Sequence, residues 1–454
     1  RRYDGSSRFI GDKRWGFFPS FSAGWNVSRE SFWRDLEHIV NNFKIRGSWG
    51  ELGNCNTKAF YPFYQTMPTG VENSGWLING KKPNTASAPG IVSAEMTWET
   101  VRSWNIGFDF GLLNNRLTGS FDYFVRNTLD MIGPAPQLPA TLGATVPKIN
   151  NADMKAWGFE VEVSWRDRIK DFNYGVKFVL SDDQRKVTRY PNEELNRNQW
   201  YAGRMDGLVW GYETVGIAKT DAEMEAHLAS LPNGGQSQLG SKWAAGDIMY
   251  KDLNGDGKIS SGDGTLNDLG DLKVVANTQL RFKYGLTVDA SWKGFDFSAF
   301  FQGVGKRDVV VGGPYFWGAN GQGMWQAAAF KDHIDYFRPE DTESVFGPNV
   351  NAYYPRVIFG GGSSEGGKNT LTQSRYVQNG AYIRLKNLQL GYTLPSIITK
   401  KFAVNSLRVY VSGDNLWTGT KMRVFDPEVL GSTSDAGKAY PLARVWSVGL
   451  NVNF

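Results

Sequence analysis

The sequence predicts an all-β chain, a transmembrane antiparallel β-barrel with long extracellular loops, and three observations carry that expectation. The first is the last stretch, RVWSVGLNVNF, where Trp446, Val448, Leu450, Val452 and Phe454 share one face of an extended strand and small uncharged residues fill the other. The second is the recurrence of that period of two along the whole chain. The third is a regular alternation of short and long connections between the periodic stretches.

Composition fits this class. The 454 residues exceed the usual single-core size, so several domains or one large closed sheet are needed. The 53 glycines and 14% aromatics suit strands and turns, and the single cysteine, Cys55, has no partner for an internal disulfide. No apolar run is long enough for a spanning helix. A mean hydropathy of -0.40 agrees with a barrel, whose lumen face and aqueous loops dilute its lipid face. The net charge of +5 is small and dispersed, so no nucleic-acid partner is expected. The chain begins at Arg1 without a recognisable leader, and YDGSSRF reads as a strand running into a loop, as in a piece of a longer protein.

In chain order, Phe17, Phe21, Ala23, Trp25 and Val27 share one face, and Phe43, Ile45, Gly47 and Trp49 oppose Lys44, Arg46 and Ser48. Trp104, Ile106, Phe108, Phe110 and Leu112 turn through 113–116 into Leu117, Gly119, Phe121, Tyr123 and Val125, a hairpin with an Asn-Asn turn. Trp157, Phe159, Val161, Val163 and Trp165 lead across 166–171 into Phe172, Tyr174, Val176, Phe178 and Leu180. The stretch from Leu280 to Trp292 turns at Lys293-Gly294 into Phe295, Phe297, Ala299 and Phe301. Between Tyr382 and Leu394 the phase changes from Ile383 and Leu385 to Leu388, Leu390 and Tyr392, which predicts a bulge. Leu407, Val409 and Val411 precede the final strand.

These make about twelve strands, and about 11 residues at about 3.3 Å, tilted by about 45°, span about 26 Å, the height of an outer-membrane apolar band. Trp25, Trp49, Trp104, Trp157, Trp165, Trp292 and Trp446 at strand ends suit interfacial girdles. With Phe454 on the periplasmic side, the inner connections are 28–42, 113–116, 167–171, 293–294 and 395–405, the first holding a possible helical turn at 30–40. The outer connections, 54–100, 128–155, 185–278, 304–380 and 416–443, are uniformly long, as such barrels require. The periodic stretch 209–218 falls inside an external loop by this parity.

The long loop 185–278 carries a calcium-loop pattern at 252–263. Asp252, Asn254, Asp256, Ser260 and Asp263 supply side-chain oxygens at positions 1, 3, 5, 9 and 12, Lys258 supplies a carbonyl at position 7, and Gly257 sits at the sharp turn. Asp263 stands where an EF-hand has a bidentate Glu, and no flanking helices are evident. Calcium is the expected ion, with a structural role in stiffening the loop; a metal-free Asx-Gly turn is the alternative.

No catalytic motif emerges, and the chain is not expected to be an enzyme. His38, His227 and His333 are far apart in sequence. Glu160 and Glu162 share one side of a strand at a separation of about 7 Å that paired-carboxylate chemistry uses, but they are expected to balance lumen cations such as Lys177, Arg281 and Lys283. For cargo, the external loops offer the aromatic faces of Trp76, Trp200, Tyr315, Trp317 and Trp325, the kind of surface that sugars stack on; aromatics also pack long loops together.

The strand ending in Phe resembles the terminal signal of outer-membrane barrels. YDGSSRF, RWGFFPSFSAGW, FKIRGSWGELGN, GDIMYKDLNGDGKI, DYFRPED with YYPR, AYIRLKNLQLGYTLP, VYVSGDNLW, FDPEV and YPLARVWSVGLNVNF, in that order, resemble the SusC/RagA family of TonB-dependent outer-membrane transporters. The resemblance covers the carboxyl-terminal part of such a protein. It implies a 22-stranded barrel whose plug, TonB-contacting segment and first strands precede Arg1. It further implies a SusD-like surface lipoprotein as a hinged lid, energy supplied through TonB, outer-membrane lipid around the wall, and oligosaccharide or oligopeptide cargo. Two other readings stay open at this point, a passive porin of about twelve strands and a soluble calcium-binding β protein.

Overall fold

The computed structural model describes residues 1–454 except 58–59, 72–75, 87–88, 134, 136–140, 142–145, 321–328, 359–363, 424 and 431–439. Its main feature is an eleven-stranded sheet, the wall, in which each strand pairs with its neighbours in sequence. The strands are Ser20–Asn26, Val40–Asn54, Glu99–Leu112, Leu117–Ile132, Asn150–Ile169, Phe172–Arg189, Arg281–Trp292, Phe295–Lys306, Tyr382–Thr393, Ser406–Thr420 and Val445–Asn453. All pairings are antiparallel, so the wall is a meander without crossovers. A further pair, Arg2–Gly5 with Trp15–Phe18, precedes it as a separate two-stranded sheet, so the wall holds eleven of the about twelve strands expected.

The register aligns the apolar phase from strand to strand. Ile45 faces Phe108, Phe108 faces Phe121, Phe121 faces Val161 and Val161 faces Leu180; in the neighbouring strands Phe178 faces Leu286 and Leu286 faces Phe301, and at the far edge Leu390 faces Val411 and Val411 faces Val448. Much of this face is open: Ile106 is 53% exposed, Leu390 55% and Val448 77%. A contiguous apolar band of this extent matches hydrocarbon rather than water. Trp165 and Trp292 lie near the short-turn end of the band and Trp49, Trp104 and Trp157 near the other, giving two aromatic girdles. The opposite face is polar and pairs its charges, with Arg46 between Asp109 and Asp122 (3.0 and 2.6 Å), Lys177 on Glu162 (2.7 Å) and Arg408 on Asp296 (2.5 Å).

The short turns gather at one end. Leu113, Asn114 and Asn115 are all left-handed, at φ of 55°, 58° and 59°, which asparagine tolerates; Lys293 and Gly294 make a two-residue turn. Two local expectations need correction, and a third is present in shorter form. The connection read at 166–171 is only Lys170-Asp171, because the charged residues Arg166, Asp167 and Arg168 stay in the ladder through Ile169. The stretch from Phe17 to Val27 breaks at Pro19, which has no amide to donate, and it ends at Asn26, with Val27 turning into a short 3-10 helix. The possible helical turn at 30–40 is a 3-10 helix over Ser31–Leu36. The bulge between Tyr382 and Leu394 is present: the register shifts on both sides of Lys386.

The long connections gather at the other end, where they form a cap with its own core. Leu208–Tyr212 pairs with Leu272–Asn277, Thr214–Ile217 with Ile248–Tyr250, and Asp308–Val310 with Val377–Asn379. The stretch 209–218 is therefore strand within an external loop. A helix, Asp221–Ala229, starts on Thr220, whose hydroxyl accepts from the Glu223 amide. Tyr212, Ile248, Tyr250, Ile259, Phe316, Trp317, Tyr354, Tyr376, Met422 and Leu430 join three loops in one cluster.

Candidate functional site

The cap is fixed by charges buried between loops distant in sequence. Asp247, fully buried, accepts from Arg356 (2.7 and 2.8 Å), from the Asn369 amide group (2.9 Å) and from the Ala244 backbone (3.0 Å), and lies 3.0 Å from the Lys368 ammonium. Lys368, also fully buried, donates to the Ser241 and Lys242 carbonyls (2.7 and 3.1 Å) and stands 4.6 Å above the Trp243 ring. Such a network is stable only because every member has a partner. A second strut joins wall to cap, where Arg384 meets Asp426 and Glu428 (2.6 and 3.0 Å) and the bulged Lys386 reaches Glu428 (2.8 Å).

Under this strut a cavity of about 320 Å³ lies on the inner face of the wall, lined among others by Val179, Lys283, Phe300, Arg307, Tyr382 and Glu428. Burial pulls the Arg307 guanidinium down from its ordinary value. A second cavity, of about 410 Å³, opens in the cap beside Trp317, His333, Tyr336, Phe346 and Tyr354. Burial pushes the phenols of Tyr354 and Tyr376 well up, so both stay neutral; Tyr376 donates to the Tyr353 carbonyl at 3.0 Å, and the Tyr354 hydroxyl has no hydrogen-bond partner among the described residues. Apolar rings beside a few fixed polar groups are the ordinary make-up of a small-ligand site.

The aromatic candidates divide. Trp76 is exposed, and Tyr315 is partly exposed and stacked on Phe330 at 5.6 Å. Trp200 is half-buried, its ring 6.1 Å from that of Tyr190. Trp317 is only 7% exposed, edge-on to Tyr376 at 4.7 Å in the cap core, so its ring is used in packing. Trp325 lies outside the described residues.

In the calcium-pattern loop, the Asp252 carboxylate accepts from the amides of Gly255 (2.6 Å) and Gly257 (2.9 Å). The Asn254 carbonyl accepts from the Asp256 amide and the Asp256 carboxylate from the Lys258 amide (3.0 and 3.1 Å). Asp263 accepts from Thr265 (2.7 Å), and the Ser260 hydroxyl from Gly262 (3.3 Å). Beneath them the buried Asp271, which the sequence reading missed, receives the amides of Leu253 and Ser260 at 2.7 Å each. Burial raises the Asp271 carboxyl, and the charges of Asp252 and Asp256 raise it further. Among the described residues no three His, Cys, Asp or Glu side chains are gathered as a metal cluster.

The histidines are likewise separate: His227 meets Gln236 (3.2 Å), and His333 meets the Phe316 carbonyl (3.1 Å). Glu162 is used on Lys177, Arg281 pairs with Asp182 and Lys283 with Asp183.

Comparison with known proteins places this arrangement. Over its whole length the chain is 28% identical to TonB-dependent receptor P3 of Formosa agariphila and 26% identical to TonB-dependent receptor SusC of Bacteroides thetaiotaomicron, covering 43% and 41% of those proteins. The chain thus spans less than half the length of these relatives. Its fold matches a solved structure of the RagAB peptide transporter with a TM-score of 0.73 at 20% identity, over 99% of this chain and 44% of that one. The family model for the TonB dependent receptor-like β-barrel matches residues 2–293. The chain belongs to the TonB-dependent receptor family, as the carboxyl-terminal part of an outer-membrane β-barrel of the SusC/RagA type.

Proposed function

We propose that the chain forms the cap and half the wall of an active importer for oligomeric nutrients, glycans or oligopeptides too large for diffusion porins. The observation that carries this reading is the cap itself: loops from three connections share one core over the polar face of the wall, where a passive porin needs an open mouth. Energy would enter through TonB acting on segments outside this chain, and a SusD-like lipoprotein would close over the cap as a lid. Trp76, Trp200 and Tyr315 present rings for stacking on cargo, and Trp317 holds the cap in shape.

The test is uptake in cells carrying the full-length receptor. Labelled oligosaccharide and oligopeptide pools are offered with and without a proton uncoupler, and the receptor is extracted in detergent for native mass spectrometry. Import that stops with the uncoupler, together with a co-purifying lipoprotein, supports the reading, and the retained pool identifies the cargo class. Uptake that persists without the proton gradient would establish a passive pore instead.

For the 252–263 loop we propose a structural calcium ion held by the oxygens of Asp252, Asn254, Asp256, Ser260 and Asp263 and the Lys258 carbonyl. The negative charges of Asp252 and Asp256, which add to burial in raising the Asp271 carboxyl beneath them, support a cation there. Added calcium should protect this loop from proteolysis in the wild type and not in Asp252→Ala. Equal cleavage with and without calcium would leave the metal-free turn.

A further inference from the structure

Lys155 and Lys186 lie directly opposite one another on paired wall strands. Each ammonium stands over the same indole, that of Trp157, at 6.0 and 5.9 Å. Like charges placed across an antiparallel pair repel. Neighbouring cations on this face are neutralised, Arg102 by Glu51 (2.7 Å) and Arg189 by Asp130 and Asp153 (2.7 Å each). Among the described residues neither lysine has a carboxylate oxygen within the 4.0 Å that defines an ion pair.

Position says what neutralises them. Along Asn150–Ile169, Lys155 is in phase with Trp157, Phe159, Val161 and Val163, so the pair lies on the lipid-facing side. About 15 residues separate it from the short turn at Lys170, which at about 3.3 Å per residue and a tilt of about 45° puts it about 35 Å up the wall. The apolar band is about 25 Å tall, so the lysines stand just above it, at the level of outer-leaflet headgroups.

We propose that Lys155 and Lys186 form a site on the outside of the barrel for the phosphate of an outer-leaflet lipid headgroup. The two ammonium groups clamp the phosphate, Trp157 supports both of them, and Phe159 and Val161 lie below to meet the acyl chains.

The test uses the full-length receptor in detergent and three probes: bis-phosphorylated lipid A, the same lipid dephosphorylated, and inorganic phosphate. Binding is read by native mass spectrometry and fluorescence titration. The phosphorylated lipid should bind the wild type and bind K155Q/K186Q about tenfold more weakly, with the dephosphorylated lipid weak on both and inorganic phosphate unable to compete. Heat-modifiable gel migration checks that the variant is folded, and K177Q on the lumen face should bind like the wild type. Equal binding by wild type and double variant, equal binding of the dephosphorylated lipid, or full competition by inorganic phosphate would each overturn the site.

Discussion

The wall and the cap are built from the same chain by opposite rules. In the wall, neighbours in sequence are neighbours in space, and the two-residue period alone decides whether a side chain meets lipid or lumen. In the cap, contacts join residues more than a hundred positions apart, such as Asp247 with Arg356 and Asn369, and the interior includes fully buried charges. The wall can lose a side chain and keep its ladder; the cap depends on each member of its network.

The largest expected effect therefore lies in the cap. Asp247→Ala leaves the Lys368 and Arg356 charges without their shared partner and should cost the cap about 3–5 kcal/mol. Hydrogen exchange over 244–250 and 365–373 should accelerate while the wall keeps its heat-modifiable migration. Loss of the folded wall in this variant would mean that cap and wall are one cooperative unit, and the contrast between them would fail.

A smaller effect separates the two faces of the wall. Phe178, two residues beyond Val176 and opposite Val163, lies near the middle of the apolar band. Phe178→Arg should cost about 2–4 kcal/mol in urea unfolding from liposomes, as charge at the bilayer midplane does. Its neighbour Lys177→Gln, which gives up only a half-exposed pair with Glu162, should stay within about 1 kcal/mol. Equal costs at the two positions would mean that the inside and outside of the wall are assigned wrongly.

What was legible in the sequence follows the same division. The strands from Trp104 to Val125 and the Lys293-Gly294 hairpin are readable because alternation is a local signal, and the bulge at Lys386 shows as a change of phase. The length of Asn150–Ile169 is not readable, because above the membrane its outward residues are polar and the alternation fades, while the ladder continues. Asp247 stands in GDIMY, where the sequence assigns it no role. An acidic residue next to an apolar trio was a signal of burial, but its partners lie in YYPR and beyond, and no local pattern connects them. Tyr315 and Trp317 look equivalent in sequence; only the fold puts one beside solvent and the other in the core.

The smallest expected effect tests whether surface charge contributes to the cap at all. Glu213 joins two cap sheets, meeting Lys273 of Leu272–Asn277 at 2.5 Å and Lys251 at 3.5 Å. The hydrogen bond from Lys273, with the charges of both lysines, holds its carboxyl below the ordinary 4.5. A carboxyl depressed on folding stabilises the cap above its unfolded value, and that contribution is lost as pH falls through the folded value. Because the group is part-exposed, the contribution is a few tenths to about 1 kcal/mol. Between about pH 6 and about pH 3 the wild-type sheet Leu208–Tyr212 with Leu272–Asn277 should lose that much exchange protection, and Glu213→Gln should lose less. Identical pH profiles for the two proteins would show that the buried network around Asp247 carries the cap without help from its surface.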